Sequence, residues 1–136
     1  MSGGEVQIRA GASRGVARPA VVLDANALML PFQFRINLDA ELARILGTCD
    51  VYVPSPVVHE LERIAAKDRK ARGALELAAR YRTYDTDRPG DLAVLAAAEA
   101  LNAVVVTNDR GLLAALRARG IPRIRLRSKT HLELET

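Results

Sequence analysis

Four carboxylates define the chemistry open to this chain. Asp24 closes the apolar run Ala20 to Leu23, and Asp109 follows the run Ala103 to Val106 after Thr107 and Asn108. Asp91 opens the helical stretch LAVLAAAEALN, and Glu60 lies on the apolar stripe of SPVVHELERIA. Taken singly, a strand-end aspartate caps the next helix, and a helix-start aspartate gains only ~0.3 to 1 kcal/mol from the helix dipole. Taken together they conflict, because two unit charges ~6 Å apart at an effective dielectric near 20 repel by roughly 3 kcal/mol. Glu60 adds a cost of its own, since an unpaired carboxylate on an apolar stripe is expensive to bury. The cluster therefore needs a cation. Oxygen donors without a Cys and His set select Mg2+ or Mn2+ over zinc, and magnesium binds through a few carboxylates plus substrate phosphate. Such an ion activates water and steadies charge building on phosphorus and on the leaving oxygen.

The elements that must position these acids alternate. Ala20 to Leu23 is a β-branched apolar run, the pattern of a strand buried on both faces. Asn37 caps a helix over Leu38 to Leu46 that Gly47 ends, and Val51 to Val53 makes a second strand. Ser55 as cap and Pro56 at the first helical position start the helix carrying Glu60, whose stripe is Val57, Leu61, Ile64 and Ala65. Ala71 to Tyr81 is helical again, TYDTDRPGD is a turn-rich loop, and Ile121 to Leu126 is a last strand. The order predicts an α/β fold, a three-layer parallel sheet flanked by helices. In such sheets the working crevice lies beyond the C-terminal strand ends, where Asp24 and Asp109 fall and from which the helices of Glu60 and Asp91 depart. His59 and Glu62 fall beside the stripe and are expected to be solvated, as are Asp85 and Asp87 in the loop, for which an approach to the acid cluster is the alternative.

Composition sets the frame. The 136 residues are 49% hydrophobic and 26% charged, enough for one globular domain with a real core. Residues 1-18, rich in Gly, Ser and Arg, read as a flexible arm, and residues 19-136 as the domain. No apolar run approaches the ~20 residues that cross a bilayer, and the start lacks the apolar core of a secretory signal. No membrane role is expected. A lone Cys49 rules out an internal disulfide and suits a reducing cytoplasm. Net charge is +4, and the cations Arg117, Arg119, Arg123, Arg125, Arg127 and Lys129 crowd one stretch. Guanidinium groups grip phosphate bidentately, so this stretch hints at nucleic acid; the alternative is the charged solvent face of an edge strand. Five aromatic residues, Phe32, Phe34, Tyr52, Tyr81 and Tyr84, are too few for extensive base stacking. Phe32 and Phe34 are expected in the core, with a dimer surface as the alternative.

Three segments resemble the signature blocks of PIN-domain nucleases: VLDANAL, SPVVHELE and GDLAVLAAAEALNAVVVTNDRGL. The resemblance spans roughly residues 20-128. It implies a PIN-like, Rossmann-like fold in which Asp24, Glu60, Asp91 and Asp109 serve as both catalytic and metal-binding acids. It implies further a Mg2+- or Mn2+-dependent endoribonuclease, a hydrolase that uses metal-activated water and leaves 5'-phosphate and 3'-hydroxyl ends. Thr107 would orient the last acid and Asn26 would line the pocket. The ending ALRARGIPRIRLRSKTHLEL is similar to the branch that processes ribosomal RNA, whereas toxins of toxin-antitoxin pairs share the same core. The expected partners are RNA, a second copy of the chain in a homodimer, and an antitoxin or a ribosome-assembly partner. A catalytically silent RNA-binding or assembly scaffold is a further reading, which the complete set of acids disfavours. A phosphatase with a nucleophilic aspartate would want a second aspartate where Asn26 stands, and a flavodoxin-like module gives no reason for Glu60 on its stripe.

Overall fold

Val21, Val22 and Leu23 are fully buried, which is what a β-branched run without a polar alternate requires. They form β1 (Ala20–Leu23), at the centre of the sheet in a computed structural model that describes residues 18–136. The arm assigned to residues 1-18 therefore lies outside the described residues except at Arg18. The remaining strands are β2 (Asp50–Pro54), β3 (Arg82–Tyr84), β4 (Val104–Val106), β5 (Arg123–Ser128) and β6 (His131–Glu135). The helices are α1 (Ala25–Gln33), α2 (Leu38–Leu46), α3 (Ser55–Ala65), α4 (Arg69–Ala78), α5 (Gly90–Leu101) and α6 (Arg110–Ala118).

The strands lie in the order β3-β2-β1-β4-β5-β6, all parallel except that β6 runs antiparallel to β5. The chain winds outward from β1 through β2 to β3, then returns to place β4 on the other side of β1, with Leu23 opposite Val106. The order of the strands reverses between β1 and β4, and such a switch point is where helices part and a ligand can enter.

Each helix is explained by its own residues. Asn37 accepts from the Ala40 amide at 3.0 Å to start α2, and Gly47 ends it at φ +73°, a backbone that side chains resist. α4 is separate from α3, because Asp68 leaves helical geometry and its carboxylate accepts from the Lys70 amide at 2.9 Å. Gly73 of α4 lets the Phe32 ring of α1 lie against it; a Cβ there would stand 2.5 Å from the ring. Phe32 nevertheless remains 39% exposed, while Phe34 packs against the core, so core packing holds for Phe34 and only partly for Phe32. In the core Leu23, Leu28, Leu42, Leu61, Leu112 and Leu116 are fully buried, and burying each side chain contributes roughly 1.5 to 3 kcal/mol.

The edge strand β6 is sealed by side chains. Glu41 of α2 accepts from the Leu132 amide at 2.8 Å, and Arg44 donates to the Leu132 carbonyl at 2.7 Å. Together they occupy backbone groups that would otherwise recruit another strand. No helix among the described residues is long and apolar enough to cross a membrane.

Candidate active site

Asp24 leaves β1 with extended backbone and becomes the cap of α1, its Oδ1 accepting from the Ala27 amide at 2.7 Å. Its Oδ2 accepts from the hydroxyl of Thr107, which is wholly buried at the end of β4. Asp24 itself is only 7% exposed, and burial pushes its carboxyl up to about 7. The Thr107 and Ala27 hydrogen bonds oppose that rise, whereas the charges of Asp109 and Asp91 add to it. A carboxylate so placed favours either a proton or a cation.

The other three acids stand around it. Asp109 is exposed and caps α6, its Oδ1 accepting from the Leu112 amide at 2.8 Å while its own amide donates to Thr107 Oγ1 at 3.0 Å. Thr107 Oγ1 thus bonds both to the carboxylate of the first acid and to the backbone amide of the last, where the resemblance implied the last alone. Asp91 stands in the first turn of α5, its carboxyl raised by partial burial and by the nearby charge of Asp109. Glu60 is half-buried on α3; Val57, Leu61 and Ala65 form the buried stripe, but Ile64 is 37% exposed. Glu60 therefore sits at the margin of the stripe, where it reaches the crevice.

All four line one pocket of about 160 Å3, with Ala25, Asn26, Val57, Gly90 and Val94 completing the wall. Asn26 also fastens the pocket, since its Oδ1 accepts from the Asn108 amide at 2.8 Å and so ties the turn after β1 to the turn after β4. Among the described residues, no three Asp, Glu, His or Cys side chains close into a ready-made ion cage. The donor set suits a hard cation all the same: every donor is a carboxylate oxygen, one of them deeply buried and raised, and the pocket leaves room for water and phosphate.

Ser55 plays a part its sequence position hides. The helix begins at Ser55 itself, with Pro54 before it, and the Ser55 side chain caps nothing. Its hydroxyl instead donates to the Thr86 carbonyl and accepts from the Thr86 amide, both at 3.1 Å. That pair of bonds clips the loop leading to Asp91 onto the start of the helix that carries Glu60. His59, Glu62, Asp85 and Asp87 are exposed, as their positions suggest.

The basic stretch is largely paired. Glu135 takes Arg117 at 3.0 Å, Arg123 at 3.3 Å and Arg125 at 3.6 Å, Glu133 takes Arg127 at 3.4 Å, and Glu99 takes Arg119 at 3.3 Å. Arg123 is 5% exposed and also donates to the Ile121 carbonyl at 2.7 Å, so its guanidinium faces the fold and is closed to a solvent-borne phosphate. The antiparallel β6 supplies both glutamates of that ladder, and the sequence reading had no strand there. Lys129 stays exposed in the turn between β5 and β6.

A family profile described as a PIN like domain matches residues 21–129. A curated relative named Ribonuclease VapC4, from Methanocaldococcus jannaschii, is 34% identical over 84% of this chain and 95% of its own length. Ribonuclease VapC9 from Archaeoglobus fulgidus is 30% identical over 74% of this chain and 78% of its own. Among solved structures, the PIN domain endonuclease Utp24 superposes with a TM-score of 0.73 at 23% identity, covering 85% of this chain and 90% of that one, which matches the fold.

Proposed function

The chain belongs to the PIN-like domain family, and from that premise we propose that it is a metal-dependent endoribonuclease cutting RNA phosphodiesters with activated water. The observation that carries the reading is the convergence of Asp24, Glu60, Asp91 and Asp109 on one pocket at the switch point of the sheet. Those four acids are assigned as its catalytic and metal-binding residues, with Asn26 and Thr107 in support. Bound there, Mg2+ or Mn2+ would supply a nucleophilic water near neutral pH and stabilise charge on the phosphate. Asp24, held on both oxygens, fixes the floor of the site, and Thr107 keeps its carboxylate turned toward the pocket. Asp91 and Asp109 are the more exposed acids and would be the first of the four to meet a solvent-borne ion. Attack by water on phosphorus and departure of the 3' oxygen leave a 5'-phosphate and a 3'-hydroxyl.

Ribosomal RNA processing is our first reading of the biological role, on the strength of the ending ALRARGIPRIRLRSKTHLEL. Both curated relatives are named ribonucleases and match a domain of this size, which also supports the second reading, a ribonuclease toxin held by an antitoxin. In either role the chain acts in the cytoplasm, as a homodimer, with RNA as its substrate. Within the basic stretch, the candidates to touch RNA are Lys129, exposed in its turn, and Arg127, which is paired with Glu133 but is the most exposed of the paired arginines. The reading is tested by incubating end-labelled single-stranded and hairpin RNAs with Mn2+, Mg2+ or EDTA. Products that carry 5'-phosphate ends and vanish in EDTA support it; EDTA-resistant cutting with cyclic phosphate ends, the mark of attack by the ribose hydroxyl, contradicts it.

A further inference from the structure

The arginines of β5 are balanced by glutamates, and Arg80 and Arg82, at the opposite, N-terminal edge of the sheet, are balanced by Asp39 at 3.0 Å and Asp50 at 3.8 Å. A different group of cations carries unbalanced charge. Arg63, Lys67, Arg69 and Lys70 are exposed, and among the described residues no carboxylate stands within salt-bridge distance of any of them. Asp68, the acid amid them, caps α4 by accepting from the Lys70 amide at 2.9 Å and pairs with no cation; its charge offsets one of the four.

Their placement relative to the pocket is the informative part. Arg63 lies one turn beyond Glu60 on the same face of α3, beside Ile64. Lys67 follows a further turn on, in the bend closing the helix, where its amide still bonds to the Ile64 carbonyl at 3.0 Å. At a rise of about 1.5 Å per residue this row reaches roughly 10 Å past Glu60, the span of one to two nucleotides of extended RNA. Ile64, 37% exposed between the two cations, offers an apolar shelf for a ribose or a base face.

We propose that this face of α3 is the track along which a single RNA strand leaves the carboxylate pocket, with Arg63 and Lys67 holding successive phosphates and Arg69 and Lys70 extending the positive field. The proposal rests on the ribonuclease reading and adds the path of the substrate to it. A single row of cations on one helix can follow the phosphates of one strand, which is why the track is assigned to a single strand.

The test measures binding of a short fluorescent single-stranded RNA by anisotropy in EDTA across a salt series, using the native chain, the double variant Arg63→Ala/Lys67→Ala, and Arg80→Ala/Arg82→Ala. The last removes the same charge from the opposite edge of the sheet. Arg63→Ala/Lys67→Ala should weaken binding about tenfold or more at low salt and reduce the log-log salt slope by roughly 1.4, the value for two lost contacts to a single strand. Stabilisation by Mn2+ should stay native, and Arg80→Ala/Arg82→Ala should bind as the native chain does. If native protein binds and cuts RNA but both double variants match it, or both weaken equally, the track is wrong and the nuclease reading stands. If the native chain neither binds nor cuts RNA, both fall.

Discussion

The hydroxyl of Thr107 donates to the buried carboxylate of Asp24, joining the end of β4 to the end of β1 across the switch point of the sheet. The same oxygen accepts from the Asp109 amide at 3.0 Å, so one side chain sets the spacing of two of the four acids. Thr107→Val keeps the shape and removes both bonds. It should lower cutting and Mn2+ affinity about 10- to 100-fold, as losses of supporting bonds around metal ligands do, while Thr107→Ser restores most of the loss. Since the Thr107 bond lowers the Asp24 pKa, the acid limb of the pH-rate profile should also move to higher pH in the valine variant. A profile that does not move would mean Thr107 acts on folding alone.

Asp24 also sets a pH dependence of stability. Its carboxyl rises from 3.8 to about 7 on folding, mainly through burial, so the folded chain binds the proton more tightly than the unfolded one. Without divalent ions, stability from this group is present below the ordinary carboxylate range and is lost as pH rises to about 7, by up to a few kcal/mol. Denaturation in EDTA across this window should show the fall, and Asp24→Asn should flatten it. Mn2+ should stabilise more at pH 8 than at pH 5, because below about 7 it competes with the proton on Asp24.

Ser55→Ala deletes both bonds to Thr86 and leaves a part-buried amide and carbonyl unpaired. A loss of about 1 to 3 kcal/mol is expected, with faster proteolysis or hydrogen exchange confined to residues 85–89 and weaker Mn2+ binding through a displaced Asp91. Unchanged exchange in that loop would show that the loop holds itself.

Buried Arg123 and exposed Arg127 should respond differently to truncation. Arg123→Ala empties a buried site and leaves the Ile121 carbonyl without its partner, while Glu135 keeps Arg117 and Arg125; it should cost roughly 2 kcal/mol or more, whereas Arg127→Ala should stay within about 0.5 kcal/mol. Chemical denaturation of the two variants separates the roles, and equal losses would contradict the ladder.

The acids and the parallel core were legible because their signals are local: a β-branched run ending in an acid reads the same in sequence and structure at Leu23–Asp24 and again at Val106–Asp109. α1 escaped notice, since Pro31 sits inside it and ANALMLPFQ is apolar on most sides, leaving no amphipathic period to read. β3 has three residues and takes its order from pairing with β2, which no local pattern announces. β6 alternates as HLELE, yet its meaning lay in the partner strand: only pairing with β5 brings Glu133 and Glu135 against the arginines that looked free in sequence. Ser55 before Pro56 carries the signature of a cap, but Ser55 is already the first helical residue, behind Pro54, and its hydroxyl bonds to the loop instead.

The central claim is that the four-acid pocket cuts RNA with a divalent ion, and the most direct test compares cleavage of labelled RNA by the native chain and by Asp24→Asn, purified identically, in Mn2+ and in EDTA. The account predicts metal-dependent cutting by the native chain that falls at least about a thousandfold in the variant, while its circular dichroism stays native. Equal cutting by both chains, or native cutting that survives EDTA, would contradict it.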